Sequence, residues 1–83
     1  MEIQISIREL SVGSVAIVVG YSRVYGGYVG KLLAKGLTPG KVFVVLDTTL
    51  PEGCVAIMLQ EKILTLSKPE AEALCVEPAN SDE

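Results

Sequence analysis

The sequence predicts a mainly β fold, a small closed barrel of five to six short strands with an inserted α-helix and a short helical turn near the C-terminus. Three observations predict it. The apolar runs are strand-sized and rich in β-branched residues: "VAIVV" (15–19), "KVFVVLD" (41–47), "CVAIML" (54–59) and "KILTL" (62–66). Glycine and proline punctuate the chain between those runs, and only one stretch carries a helical period. The 83 residues leave room for one domain, and a domain this small buries only about 60–65% of the surface of its unfolded chain. Closure suits such a chain, because open strand edges on an apolar sequence invite aggregation.

Taken in order, Ile3, Ile5 and Ile7 alternate with Glu2, Gln4 and Ser6, the period of a strand with one buried face. Ser6 and Glu9 have capping-box spacing, so this strand is expected to end in a single turn near "IREL". Gly13 and Ser14 mark the next turn, and Val15 to Val19 read as a core strand. From Gly20 the composition changes to "GYSRVYGGYVG", which holds all three tyrosines. Tyr25, Tyr28, Val29, Leu32 and Leu33 then follow the i, i+3, i+4, i+7, i+8 stripe of an amphipathic helix. Gly26, Gly27 and Gly30 each weaken it by ~1 kcal/mol relative to alanine, so its first turns are expected to be irregular.

The stretch "KLLAKGLTPGKVFVVL" (31–46) passes from helix to strand through three chain breakers. Gly36 stands where a helix C-cap takes left-handed dihedrals, and Leu37 is placed to touch Leu32 as in a Schellman ending. Lys31 and Lys35 suit the negative end of the helix. Thr38-Pro39-Gly40-Lys41 fits a type II turn, with proline second and glycine third. Beyond the strand, "TTLPEG" (48–53) is a loop. "CVAIML" and "KILTL" are separated only by Gln60 and Glu61 and should form a hairpin, although Asn-Gly or Asp-Gly would be the better turn. Ser67 and Glu70 form a second capping-box pattern with Pro69 in the first turn, opening a short helix. "LCV" (74–76) is the closing strand. Residues 1–77 are read as the domain and residues 78–83 as an acidic, disordered tail.

Composition narrows the function. Apolar residues are 49% of the chain, more than so small a core hides, and leftover apolar surface marks a docking or self-association face. No segment approaches the ~18 apolar residues of a membrane helix, and the N-terminus lacks the pattern of a signal peptide. The chain is therefore expected to be cytoplasmic, without direct membrane insertion. A net charge of −3 argues against nucleic acid, whose phosphates call for basic surface. With no histidine, no Ser-His or Cys-His device can be built within one chain. Cys54 and Cys75 read as buried small hydrophobes, and Glu70 and Glu72 as solvated charges at a helix start. "YGGYVGKL" (25–32) resembles a phosphate loop but has tyrosine where the first glycine belongs and leucine where the magnesium-binding hydroxyl belongs. Its glycines are expected to relieve crowding between helix and barrel. No enzyme activity, cofactor or metal site is expected.

"LSVGSVAIVVG", "KLLAKGLTPGKVFVVL" and "ILTLSKPEAEALCVEP" are similar, in order and spacing, to the ferrous-iron transport protein A (FeoA) family. The motif positions are Leu10, Gly13, Lys31, Leu32, Gly36, Leu37, Pro39, Gly40, Leu64, Leu66, Lys68, Glu70, Ala71, Val76 and Glu77. The resemblance covers roughly residues 5 to 77, and Gly-Leu-Thr-Pro-Gly (36–40) is its most specific part. It implies an SH3-like barrel and an accessory role in bacterial ferrous-iron uptake, acting on a permease that carries a cytosolic GTPase domain. Two departures, "LPEGCV" (50–55) in place of a Pro-Leu-Gly-Asp-Pro loop and Ser67 in place of a common arginine, make the second half less basic.

These readings converge on a binding module that docks on the cytosolic part of that permease. The expected contact surface is the helix and its joint: Tyr25, Tyr28, Lys31, Lys35, Leu37 and Pro39. The tyrosines and Leu37 would supply buried area and the lysines orientation. Against this, Leu32, Leu33 and Leu37 are better suited to plug the barrel than to meet a partner. Two alternatives stand beside it: a small barrel that binds nucleic acid, and a self-associating module that forms a homo-oligomer.

Overall fold

A computed structural model of the chain describes residues 6–79, with the side chains of Val24 and Tyr25 left out. The expected alternation at Ile3 and Ile5 therefore lies outside the described residues. Ile7 opens a single 3-10 turn, Ile7–Glu9, whose first backbone N–H groups include that of Arg8, donated to the Ser6 hydroxyl at 3.3 Å. Five strands follow: β1 (Val15–Tyr21), β2 (Val42–Asp47), β3 (Val55–Leu59), β4 (Lys62–Leu66) and β5 (Leu74–Pro78). Between β1 and β2 come a 3-10 stretch, Arg23–Tyr28, and the helix α1 (Val29–Ala34). A second short helix, α2 (Lys68–Ala73), joins β4 to β5. β5 takes in Pro78, so the strand runs one residue past the expected domain end, and residues 80–83 lie outside the described ones.

All pairs are antiparallel, and the strand order is β4-β3-β2-β1-β5. The sheet is open. A closed barrel would need β4 and β5 to pair, and the ladder has no such pair; α2 spans that gap instead. The edge strands β4 and β5 are thus joined by packing on the helix, not by main-chain hydrogen bonds. Two register shifts bend the sheet, one between Val18 and Gly20 on β1 and one between Val45 and Asp47 on β2. Each inserts an extra residue and sharpens the local twist.

The concave face holds the core. Ala16 and Val18 of β1, Phe43 and Val45 of β2, and Val55, Ile57 and Leu59 of β3 point inward. Leu66 closes one side, and Leu74 and Val76 the other. Ile7, Leu32, Leu37 and Ala71 cover this face where the sheet leaves it open, each with no exposed surface.

Local chemistry fixes most of the corners. β3 and β4 form the expected hairpin, with Leu59 opposite Lys62. Its two turn residues, Gln60 and Glu61, both have positive φ (53° and 72°), the mirror-image turn that matches strand twist. α2 begins with a complete capping box between Ser67 and Glu70. Asp47 ends β2 by accepting from the backbone N–H and hydroxyl of Thr49, and these bonds hold its carboxyl below the usual carboxylate range.

Candidate docking surface

The joint between α1 and β2 is built as a Schellman ending. Leu37 N–H donates to the Leu32 carbonyl and Gly36 N–H to the Leu33 carbonyl, both at 3.0 Å, with Gly36 at φ +89°. The type II turn follows: Lys41 N–H donates to the Thr38 carbonyl at 3.0 Å, and Gly40 has φ +96°. That turn is stitched to β1 through Gly40 N–H to the Val18 carbonyl and Val18 N–H to the Lys41 carbonyl, at 2.8 and 2.9 Å. Tyr21, the last residue of β1, donates its hydroxyl to the Leu37 carbonyl at 2.6 Å. Burial raises the Tyr21 pKa, so the phenol keeps the proton that this bond requires.

The residues expected to form the contact surface have separate fates. The Tyr25 side chain lies outside the described residues. Tyr28 is half-buried against the core, and the Lys31 ammonium sits 5.4 Å from the centre of its ring, a cation–π pair at the surface. Pro39 is exposed on the turn. Leu37, in contrast, has no exposed surface and packs in the core. Lys35 points back into the fold, where its Nζ donates to the Thr65 carbonyl at 2.9 Å and to Glu70 Oε1 at 3.1 Å. Lys35 is thus tied to β4 and α2, with its side chain still 30% exposed.

Other expectations also change. Glu70 is not a solvated charge: it is 7% exposed, and its Oε1 accepts both the Ser67 backbone N–H at 2.9 Å and Lys35. Burial pushes its pKa up, but the Ser67 N–H and the Lys35 ammonium outweigh that and hold it below the ordinary carboxylate value. Leu33 falls at the outer edge of the apolar stripe and stands 46% exposed, while Leu32 beside it takes the core. Gly26, Gly27 and Gly30 do not relieve crowding, since an added Cβ at each would meet nothing within 4 Å. Cys54 and Cys75 are free and half-buried rather than core residues.

A second surface emerges on the convex side of the sheet. Val15, Val44, Met58 and Ile63 are successive cross-strand partners, so four strands present one apolar row outward. Ile63 is 66% exposed and Val42, one step along β2, is 47% exposed. The sequence carried a signal for this row: strands that are apolar at both parities, in a sheet with helices on one side only. Register alone lines these residues up, and register was not visible in the composition.

Elsewhere, the described residues hold no group of three or more histidine, cysteine, aspartate or glutamate side chains able to share a metal ion. A shallow open groove is lined by Arg8, Glu52, Gly53, Lys68 and Glu72, where two cations and two carboxylates offset one another. Arg8 donates to the Gly53 carbonyl there. No helix among the described residues is long and apolar enough to cross a membrane.

A family model for the FeoA domain matches residues 5–78. The chain belongs to the FeoA family. FeoA membership places it among small proteins related to ferrous-iron uptake, a family and fold not known for enzymes. Among solved structures it is similar to an iron uptake regulatory protein (FeoA), with 27% identity, a TM-score of 0.73, and 90% of this chain matched to 96% of that one. The FeoA protein from Chlorobium tepidum is 26% identical, with a TM-score of 0.75 over 95% of this chain and 74% of that chain. A FeoA-like protein from Clostridium acetobutylicum, at 24% identity, shares the fold over 100% of this chain and 95% of its own, with a TM-score of 0.80. The same SH3-like fold recurs in 35% of the T. acidophilum IdeR chain, at 20% identity and a TM-score of 0.74. A comparison with curated proteins finds no match.

Proposed function

We propose that this FeoA-family protein is a non-enzymatic cytoplasmic module that docks on the cytosolic part of the ferrous-iron permease and modulates it. The observation that supports this reading is the exterior of α1. There the Lys31 ammonium lies over the Tyr28 ring, with Leu33 exposed on the same short helix and Pro39 on the turn beyond it. An aromatic body, an exposed leucine and a cation within two helical turns supply buried area and orientation together. The joint behind them is held by the Schellman ending and by Tyr21, so the surface is presented on rigid backbone. Leu37, with no exposed surface, supports this face from within, and Lys35 braces it through Thr65 and Glu70.

Retention by the permease's immobilised cytosolic part tests the proposal. The wild-type chain is expected to be retained, and Tyr28→Ala combined with Lys31→Glu is expected to lose retention while keeping its far-UV circular dichroism. Undiminished retention of that double variant would remove α1 from the docking surface.

A further inference from the structure

The outward row Val15–Val44–Met58–Ile63, with Ile17 and Val42 paired beside it, has no cover anywhere in the described chain. We propose that a second copy of this chain packs on it, sheet against sheet, to form a two-fold homodimer.

Three features select a second copy. The first is charge. A two-fold axis sets residues near it against their own copies, so an ionised group there meets like charge. The row and the Ile17–Val42 pair contain none, while the ionised residues that share this face by register, Asp47 at the end of β2 and Glu77 on β5, lie at its rim. A chain with net charge −3 repels its copy, so a neutral contact is the one it tolerates. A different partner would instead gain from opposite charges at the contact. The second is register. An axis parallel to the strands and midway between β2 and β3 sets Ile63 of one copy over Val15 of the other and Met58 over Val44. The residue that stands furthest out meets one near the opposite edge, so the four positions pair without remainder. The third is size. Each face offers several hundred Å² of apolar surface, and two such faces with their rims bury on the order of 1,000 Å², the lower end of specific association. An interface of that size falls in the weak, transient class, so its dissociation constant is sought between about 1 μM and 1 mM.

This surface lies on the sheet and not on α1, so it stands or falls apart from permease docking. Sedimentation velocity of the full chain across a concentration series that brackets that constant tests it. The mass is expected to climb from 8.8 kDa toward twice that value. Ile63→Lys should hold the chain monomeric throughout, a loss of at least about tenfold in affinity, while Leu33→Lys on α1 leaves the climb unchanged. On dilution, backbone amide shifts should move on β1 to β4 and stay still on α1, a readout that needs no variant to fold. A monomer at every concentration overturns the proposal. So does a climb that survives Ile63→Lys, or one that Leu33→Lys abolishes equally. A chain that stays monomeric, and whose Ile63→Lys variant loses the permease's cytosolic part, gives this face to that partner and likewise overturns it.

Discussion

Between Leu32 and Lys41 the chain is held by two Schellman bonds, a type II turn, two bonds to β1 and the Tyr21 hydroxyl. Across β1 to β4, Val15, Val44, Met58 and Ile63 lie side by side with water above them. Both regions are rich in apolar residues, yet one is fully used by the fold and the other is left over. In the joint, sequence-local rules decide which side chain turns inward. On the sheet, alternation sends every second residue of an all-apolar strand outward whatever its hydrophobicity. A short chain with thin cover on one face of its sheet has no layer to put over the other. Apolar content by itself therefore says little about stability; position relative to the concave face decides it.

The largest effect that separates the regions comes from two leucines of nearly adjacent position. Leu37→Ala empties a site with no exposed surface and is expected to cost about 3 kcal/mol in urea unfolding. Leu33→Ala, at a site 46% exposed, is expected to stay within about 0.5 kcal/mol. Equal costs would mean that the helix packs through a face other than the one seen.

The contrast also explains what the residues could announce in advance. Gly36, Pro39 and Gly40 spell out their own conformations, because only certain φ values suit them, so the joint was legible residue by residue. The same holds for the Ser67–Glu70 capping box, whereas the Gln60–Glu61 hairpin was legible only from the two-residue gap between its strands, since neither turn residue favours the positive φ it adopts. The open edge between β4 and β5 was not legible, since it depends on where a six-residue helix places two strands that are distant partners. Lys35 and Glu70 were read as surface charges because 35 positions separate them and nothing local joins them. The candidate α1 surface was half legible: Tyr28 and Lys31 stay at the surface, while Leu37 and Lys35 are withdrawn by tertiary contacts. The outer row was hidden for a related reason, as it exists only once four strands are in register.

Two glycines sharpen the comparison at the next level. Gly36→Ala places a side chain at φ +89° with its Cβ 3.4 Å from Leu59 Cδ2, and is expected to cost about 1–2 kcal/mol. Gly30→Ala, in the exposed helix with open space around it, is expected to stabilise by up to about 1 kcal/mol. Thermal unfolding of the two variants should move in opposite directions. A destabilising Gly30→Ala would show that the helix has a close neighbour not seen within the chain.

The ion pair behind the joint gives a pH signature that the uncharged apolar row lacks. Glu70 is held below its ordinary value of 4.5 by the Ser67 N–H and Lys35 despite its burial. A depressed folded-state value means that the ionised carboxylate stabilises the fold above the unfolded-state pKa. That contribution fades as pH falls through the folded-state pKa, where the native carboxylate takes up its proton. The stability gap between wild type and Glu70→Gln is therefore expected to be full at neutral pH and to close as the solution is taken below pH 4.5 toward acid unfolding. Urea midpoints measured along that series check it. A gap that stays constant with pH would show that Glu70 contributes shape and not charge.

The smallest effect is the one that defines the outer face. Ile63→Thr keeps a β-branched side chain, and with it the preference for a strand, while removing apolar area that is 66% exposed. At concentrations low enough to keep the chain monomeric, the change is expected to alter unfolding free energy by no more than about 0.5 kcal/mol. Its cross-strand neighbour Met58 is itself exposed, so little packing is lost when a hydroxyl replaces the ethyl arm. A cost above about 1.5 kcal/mol under those conditions would mean that the row packs within the chain. The division between a used joint and a spare face would then fail, because a side chain that stabilises the monomer cannot also be surplus.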